Sequence, residues 1–270
     1  MDARSFTRLV LLSAIWGGSF LFLVGCKLRT PLDLAKNWKH YVVLGFFNTA
    51  LPFLLFGFAA RALSASLMSI LNATAPMWGA LIGVVWAGRS FSGRTLLGLL
   101  LGVMGVGVLV GFDAQAIGQG ALPEIAACLG STLCYGISTH YAATTRTIVP
   151  FANAHGSMWA AVLMLGTLLP LGWPATMPGL PALAAGTVLG VLCSGVAYLL
   201  YFRLVKDVGA TSTLTVTYLI PVFGVLWGSV FLSEPIHWHT FAGAGVVFLG
   251  TALVTGFNPL ALLRRQARAN

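Results

Sequence analysis

The polar side chains inside the long apolar runs of this sequence are mostly neutral. None of the six acidic residues lies near the middle of such a run, which argues against a relay of protons through Asp or Glu. Amide, phenol and indole groups instead offer hydrogen bonds and flat apolar faces to a small ligand. The candidate ligand-binding residues are Trp16, Asn48, Asn72, Tyr135, Tyr198 and Tyr218.

The sequence predicts no catalytic centre and no resident cofactor. It shows no Ser-His-Asp set, Gly-rich phosphate loop or paired carboxylates, so we do not expect an enzyme. Glu234, His237 and His239 are residue types that bind zinc, but the neighbouring Pro235 and Trp238 favour an interfacial loop, and we predict no metal. Four cysteines are interpreted as small buried apolar residues: Cys26, Cys128, Cys134 and Cys193.

Two prolines lie well inside apolar runs, each with a polar residue four positions earlier. Asn72 precedes Pro76, and Thr217 precedes Pro221. Because proline has no N–H, it leaves the carbonyl one turn earlier without its helical donor and kinks or interrupts the helix. The prolines therefore either shape a ligand cavity or make plain packing kinks. Asn72 either meets the freed carbonyl or a ligand, or makes an ordinary interhelical hydrogen bond.

The composition predicts an integral membrane protein made of helices. Hydrophobic residues make up 58% of the 270 and charged residues 8%, against about 45–50% and about 25% in soluble domains. The apolar runs are continuous and long enough for spanning helices of about 20 residues, but too long for barrel strands. Nine candidate spans are expected, at 9–26, 41–60, 63–88, 95–112, 125–145, 147–172, 181–202, 208–233 and 240–262.

The net charge of +9 comes from residues scattered at the ends of the spans, so nucleic acid is not the predicted partner. Basic residues concentrate on the cytoplasmic side of membrane proteins. With the Lys27–Lys39 cluster inside, the basic residues that follow also fall inside, apart from Arg61, and the C-terminus is predicted to be cytoplasmic. A lipoprotein signal cleaved before Cys26 is the competing interpretation, but it would place the same cluster outside.

The second half of the chain repeats the first. A shift of 145 positions lays residues 52–112 on 197–257, with proline and glycines in register. Glycines four apart line one face of a helix and let another backbone approach closely. The pairs are Pro76 with Pro221, Gly79 with Gly224, Gly83 with Gly228, Gly98 with Gly243, Gly105 with Gly250, and Arg89 with Glu234.

These residues resemble the EamA family of the drug/metabolite transporter superfamily. The resemblance rests on AIWGGSFLF near the N-terminus, on HYVVLGFFNTALPFLLFGFAARALSASLMSILNATAPMWGALIG, and on TLTVTYLIPVFGVLWGSVFLSEPIHWHTFAGAGVVFLGTALV. Its most specific part places Ala210, Pro221, Glu234 and Gly243 at the family's spacing. It implies ten helices in two inverted repeats, a central cavity and export of metabolites, amino acids or drugs.

The sequence departs from that family pattern twice. About 26 residues are missing near Trp16–Tyr41, roughly one helix of the first repeat, and Arg89 stands where the repeat expects Glu. At its place near the predicted cytoplasmic surface, Arg89 is interpreted as an anchor. The predicted organisation is a first repeat at 1–112, a connecting loop at 113–123, a second repeat at 124–263 and a basic tail at 264–270.

The predicted protein is an inner-membrane transporter, a monomer or homodimer in the lipid bilayer, that moves a small-molecule substrate by alternating access. The alternative is a membrane remnant or interaction subunit whose cavity the missing helix has broken.

Overall fold

The computed structural model describes residues 32–88, 92–112, 121–144, 148–167 and 216–256, with isolated positions between 179 and 200. Every element in these ranges is helical, and this confirms the predicted all-α polytopic fold. In chain order they are α1 (Leu34–Gly45), a π-helical turn (Phe46–Ala50), α2 (Leu51–Ala59), α3 (Ala65–Asn72), α4 (Ala75–Ala87), α5 (Gly93–Phe112), α6 (Leu122–Thr144), α7 (Pro150–Thr167), α8 (Val216–Leu232) and α9 (Trp238–Thr255).

Several of these helices are long and apolar enough to cross a membrane. Leu34–Ala59, Ala65–Trp86 and Trp238–Thr255 have mean hydropathies of 1.9, 1.4 and 1.3, and such lengths match a hydrocarbon core of about 30 Å. Gly93–Leu109 and Leu219–Leu232 are shorter apolar helices. The predicted span at 9–26 and most of the one at 181–202 lie outside the described residues, so the number of spans stays a prediction.

The described helices belong to two compact units. The first comprises Met1–Ala62 and Leu122–Val216 and therefore contains α1, the π turn, α2, α6 and α7. Its helices meet through small residues: a Cβ on Gly45 would lie 2.5 Å from the Ser157 carbonyl oxygen, and one on Gly156 would lie 2.6 Å from the Tyr41 ring. Such close backbone approach stabilises helix pairs in lipid, where apolar burial between helices contributes little.

The second unit comprises Leu63–Ala121 and Thr217–Asn270, and its largest contact is between α5 and α9. A Cβ on Gly98 would lie 2.6 Å from the Gly250 carbonyl oxygen, and one on Gly105 would lie 3.0 Å from that of Gly243. These glycines are the ones that the 145-residue shift matches, and they meet crosswise. Crosswise pairing of equivalent positions is the pattern that a two-fold axis produces.

Substitution of Gly250 by Ala tests this crossing. Its Cβ would lie 2.6 Å from the Gly98 carbonyl oxygen and 2.8 Å from the Gly102 nitrogen, and such overpacking costs about 1–3 kcal/mol. We expect Gly250→Ala to lower the thermal midpoint in detergent. Gly245→Ala, in the same helix with nothing within 4 Å, should leave the midpoint unchanged or raise it. Equal midpoints for the two variants would contradict the close crossing.

Candidate functional site

Asn48 lies in the π-helical turn, in the middle of the apolar stretch from α1 to α2. Pro52 follows four residues later and has no N–H to donate to the Asn48 carbonyl. The Leu51 N–H instead donates to the Phe46 carbonyl, five residues back. The turn is therefore wider than an α-helix, an irregularity that often marks functional sites.

The side chain of Asn48 contacts α6 in the same unit. The Ser138 hydroxyl lies 3.1 Å from the Asn48 Oδ1 and 3.1 Å from the Tyr135 carbonyl oxygen. A serine hydroxyl has a single proton to donate, so the two acceptors share it and Asn48 keeps acceptor capacity for another donor. The Tyr135 ring lies 6.2 Å from that of Phe56. The structure thus connects Asn48 to α6, the helix that carries Tyr135, through a serine that was not among the predicted residues.

A second group of polar side chains joins α1 and α7. His40 is buried, and its Nε2 lies 3.0 Å from Asn153 Oδ1, while its ring stacks on Tyr141 at 5.2 Å. Further along α7, the Trp159 indole N–H donates to His155 Nε2 at 3.0 Å. These contacts lie inside the unit, so we assign the groups to helix packing.

In the second unit, the helix is interrupted in front of Pro76. α3 ends at Asn72 and α4 begins at Ala75, so the carbonyl of Asn72 loses its regular donor at Pro76. The Met77 N–H donates to the Thr74 carbonyl at 2.9 Å rather than to Ala73, one turn back. The Ala73 carbonyl receives a buried hydrogen bond from the Thr251 hydroxyl of α9 at 3.0 Å.

The side chain of Asn72 lies at this interruption. Its Oδ1 is buried and, among the described residues, accepts no hydrogen bond. A buried acceptor without a donor costs about 1–3 kcal/mol. The interruption therefore carries an amide oxygen that is ready to accept a hydrogen bond.

The structure describes only some of the other predicted site residues. Trp16 and Tyr198 lie outside the described residues, and Tyr218 lies in α8 with its side chain outside them. Pro221 is buried inside α8, which continues as one helix from Val216 to Leu232.

The structure describes the three residues considered as zinc ligands and two of the four cysteines. The rings of His237 and His239 stack at 5.1 Å, whereas the Glu234 carboxylate receives hydrogen bonds from α3. No group of three potential metal ligands occurs in the described parts of the chain. Cys128 and Cys134 are buried and free, and Cys26 and Cys193 lie outside the described residues.

Pro52 is not among the residues predicted from the sequence, although a signal for it is present. Asn48 and Pro52 have the same spacing as Asn72 and Pro76, in the segments NTALP and NATAP. In both places a break in the helical hydrogen bonding and a polar amide coincide. An Asn four residues before an intramembrane Pro is therefore the pattern to look for.

The hydrogen bond that Thr251 donates can be tested by replacing it with isosteric Val. Thr251→Val leaves the Ala73 carbonyl buried without its donor, which should cost about 1–3 kcal/mol. Thr255→Val is the matched control, because the Thr255 hydroxyl donates at 2.8 Å to the Thr251 carbonyl of its own helix. Thermal melts in detergent should show a lower midpoint for Thr251→Val only. An equal loss in both variants would show that the interhelical hydrogen bond contributes nothing.

One family model matches most of the chain, and the similar relatives are uncharacterized transporters. The model of the EamA-like transporter family matches residues 2–111 and 122–256. The chain is similar to the uncharacterized transporter YvbV of Bacillus subtilis (strain 168), at 26% identity over 88% of this chain and 78% of the relative. It is equally similar to an uncharacterized transporter of Archaeoglobus fulgidus, at 26% identity over 94% and 98%.

A solved crystal structure shares the fold, with a TM-score of 0.63 and 20% identity over 97% of this chain and 89% of the other. The family model covers most of the sequence, and the described helices are long and apolar. The chain is a membrane transporter of the EamA-like transporter family.

Proposed function

We propose that this transporter exports small organic molecules, such as metabolites, amino acids or drugs, and that Asn48 and Asn72 bind them. The observation that carries the proposal is the coincidence, twice in the chain, of an asparagine side chain with a helix irregularity before a proline. Irregular backbone at membrane depth is tolerated where it is buried in protein or lines a cavity. Proline-interrupted spans at corresponding positions of two halves point to a transporter's substrate site. Here both interruptions lie in the first half, since α8 continues through Pro221.

The chemistry of the two asparagines favours a neutral or cationic ligand with hydrogen-bond donors. The Asn72 Oδ1 is a buried acceptor without a partner in the described part of the chain, and the Asn48 Oδ1 shares one serine proton. A hydroxyl, amide or ammonium group on the substrate supplies the missing donor. Because Asn72 Oδ1 is buried here, the substrate reaches it in another state of the cycle, as alternating access requires.

The protein is proposed to lie in the inner membrane with its C-terminus in the cytoplasm, as the distribution of Lys and Arg predicts. It moves its substrate without covalent chemistry, as a monomer or homodimer. Trp16, Tyr135, Tyr198 and Tyr218 complete the proposed set of contacts, and Pro76 and Pro221 shape the cavity.

One observation favours the alternative of a non-transporting remnant. The alignment with the Archaeoglobus relative extends over 302 residues, more than the 270 of this chain, so that relative has residues without a counterpart here. The shift between the repeats places such a shortfall between Trp16 and Tyr41. Loss of a helix there would change the first repeat, whose Asn48 belongs to the proposed site.

A ligand screen distinguishes the two functions. The purified protein is melted in detergent with amino acids, nucleosides, polyamines and cationic drugs, one at a time. A ligand that binds only the folded state at about 100 times its Kd adds about 2.7 kcal/mol of stability. We expect a saturable rise in the midpoint from one class, lost or strongly reduced in Asn48→Ala and in Asn72→Ala.

Asn37→Ala is the matched control, since the Asn37 side chain donates to the Leu32 carbonyl in the first turn of α1. This variant should keep the full ligand shift. A shift that persists in all three variants would show that the ligand binds elsewhere. A cooperative melt that no ligand raises would favour the remnant.

A further inference from the structure

The Glu234 carboxylate joins the end of one helix to the start of another within the second unit. It follows α8 in the loop before α9, and both of its oxygens receive hydrogen bonds from the start of α3. The Ala65 N–H donates to Oε1 at 2.7 Å, and the Ser66 N–H and hydroxyl donate to Oε2 at 3.0 and 2.5 Å. Hydrogen bonds to an ionised group are about twice as strong as neutral ones.

The surrounding backbone is built for this contact. A Cβ on Gly228 would overlap both the Glu234 carboxylate and the Ser66 hydroxyl, and one on Gly224 would overlap Ser69. Ser233 has a positive φ of 54°, which is uncommon for a residue other than Gly. The Glu234 N–H then donates to the Gly228 carbonyl at 3.1 Å, which turns the side chain back toward α3.

The start of α3 leaves several N–H groups without a helical acceptor, and Glu234 and Ser64 share them. The Ser64 hydroxyl already accepts from the Leu67 N–H at 3.1 Å and forms an ordinary N-cap. Glu234 adds a link, because the helix that it belongs to is not the helix that it caps. Its side chain is only partly buried, so water can replace the three donors when the contact opens.

We propose that Glu234 is a latch: its carboxylate holds the end of α8 against the start of α3, and its release lets the two helices separate. The role of this separation as a gating step rests on the proposed transport function. The latch itself is a property of the second unit and is tested without any ligand. It assigns to Glu234 and Ser66 the control of how α3 and α8 separate.

The test measures how readily a thiol between α3 and α8 is labelled. Ser69→Cys is introduced after the four native cysteines are replaced by Ala, and the protein is placed in nanodiscs with a membrane-impermeant maleimide. Position 69 is half-buried while the contact is closed, and its side chain faces Gly224 of α8. Separation of the two helices exposes the thiol further, so Glu234→Ala should raise the labelling rate severalfold. Glu234→Gln keeps one neutral acceptor and should give an intermediate rate.

Ser64→Ala is the matched control, since it removes a cap from the same helix without touching α8. Its labelling rate should equal that of the reporter alone. Equal acceleration by Ser64→Ala and Glu234→Ala would reduce Glu234 to a helix cap, and no acceleration by Glu234→Ala would refute the latch. If the reporter variant melts below its cysteine-free parent, hydrogen exchange at residues 226–237 provides the same comparison without it.

The two proposals fail separately. Labelling can be fastest in Glu234→Ala, intermediate in Glu234→Gln and unchanged in Ser64→Ala even if no ligand raises the thermal midpoint. The missing ligand shift would then count only against transport of the tested compounds. If a ligand raises the thermal midpoint but Glu234→Ala does not label faster than Ser64→Ala, the proposed function stands and the latch is refuted.

Discussion

The described helices depend on the requirement that every backbone carbonyl inside a membrane find a donor within the protein. Water is absent from the hydrocarbon core, so an unpaired group there costs several kcal/mol. Proline creates such groups by removing an N–H. In front of Pro76 one helix ends and a new helix begins. The Ala73 carbonyl at this break receives its hydrogen bond from the Thr251 hydroxyl. Around Pro52 the chain responds by forming a π turn. These local responses place two asparagine side chains where polar groups are otherwise rare.

The two halves of the repeat contact each other through backbone in one place and through charge in another. α5 and α9 cross at glycines, where no side chain intervenes, whereas α8 is held to α3 by Glu234. The matching position in the first half is Arg89, outside the described residues. A guanidinium has no acceptor, so it is unable to receive N–H groups as Glu234 does. The change of sign between the repeats therefore means that the second copy alone supplies this carboxylate link.

Much of the fold could be predicted because hydropathy reports directly on the lipid environment. The spans around α2, α4, α5 and α9 follow from continuous apolar runs, and close helix approach at glycines follows from glycines four apart. The contact of Gly98 with Gly250 becomes visible only in the structure. The partners of individual polar groups could not be predicted. Ser138 reaches Asn48, and Ser66 reaches Glu234, across distances in sequence that no local pattern encodes. Asn48 was predicted as a ligand contact from its chemistry, while the reason for its position, Pro52, becomes visible only with the π turn.

We propose that Pro52 and Pro76 create the ligand-binding site by breaking the helices next to Asn48 and Asn72. The most direct measurement is counterflow of the stabilising ligand in proteoliposomes that contain Pro52→Ala. An alanine N–H can restore the regular bond to the Asn48 carbonyl, and Ala is the better helix former by about 3 kcal/mol. We expect Pro52→Ala to be at least as stable as the parent, with counterflow and ligand-induced stabilisation both strongly reduced. Unchanged counterflow in a stable, helical Pro52→Ala variant would contradict this proposal.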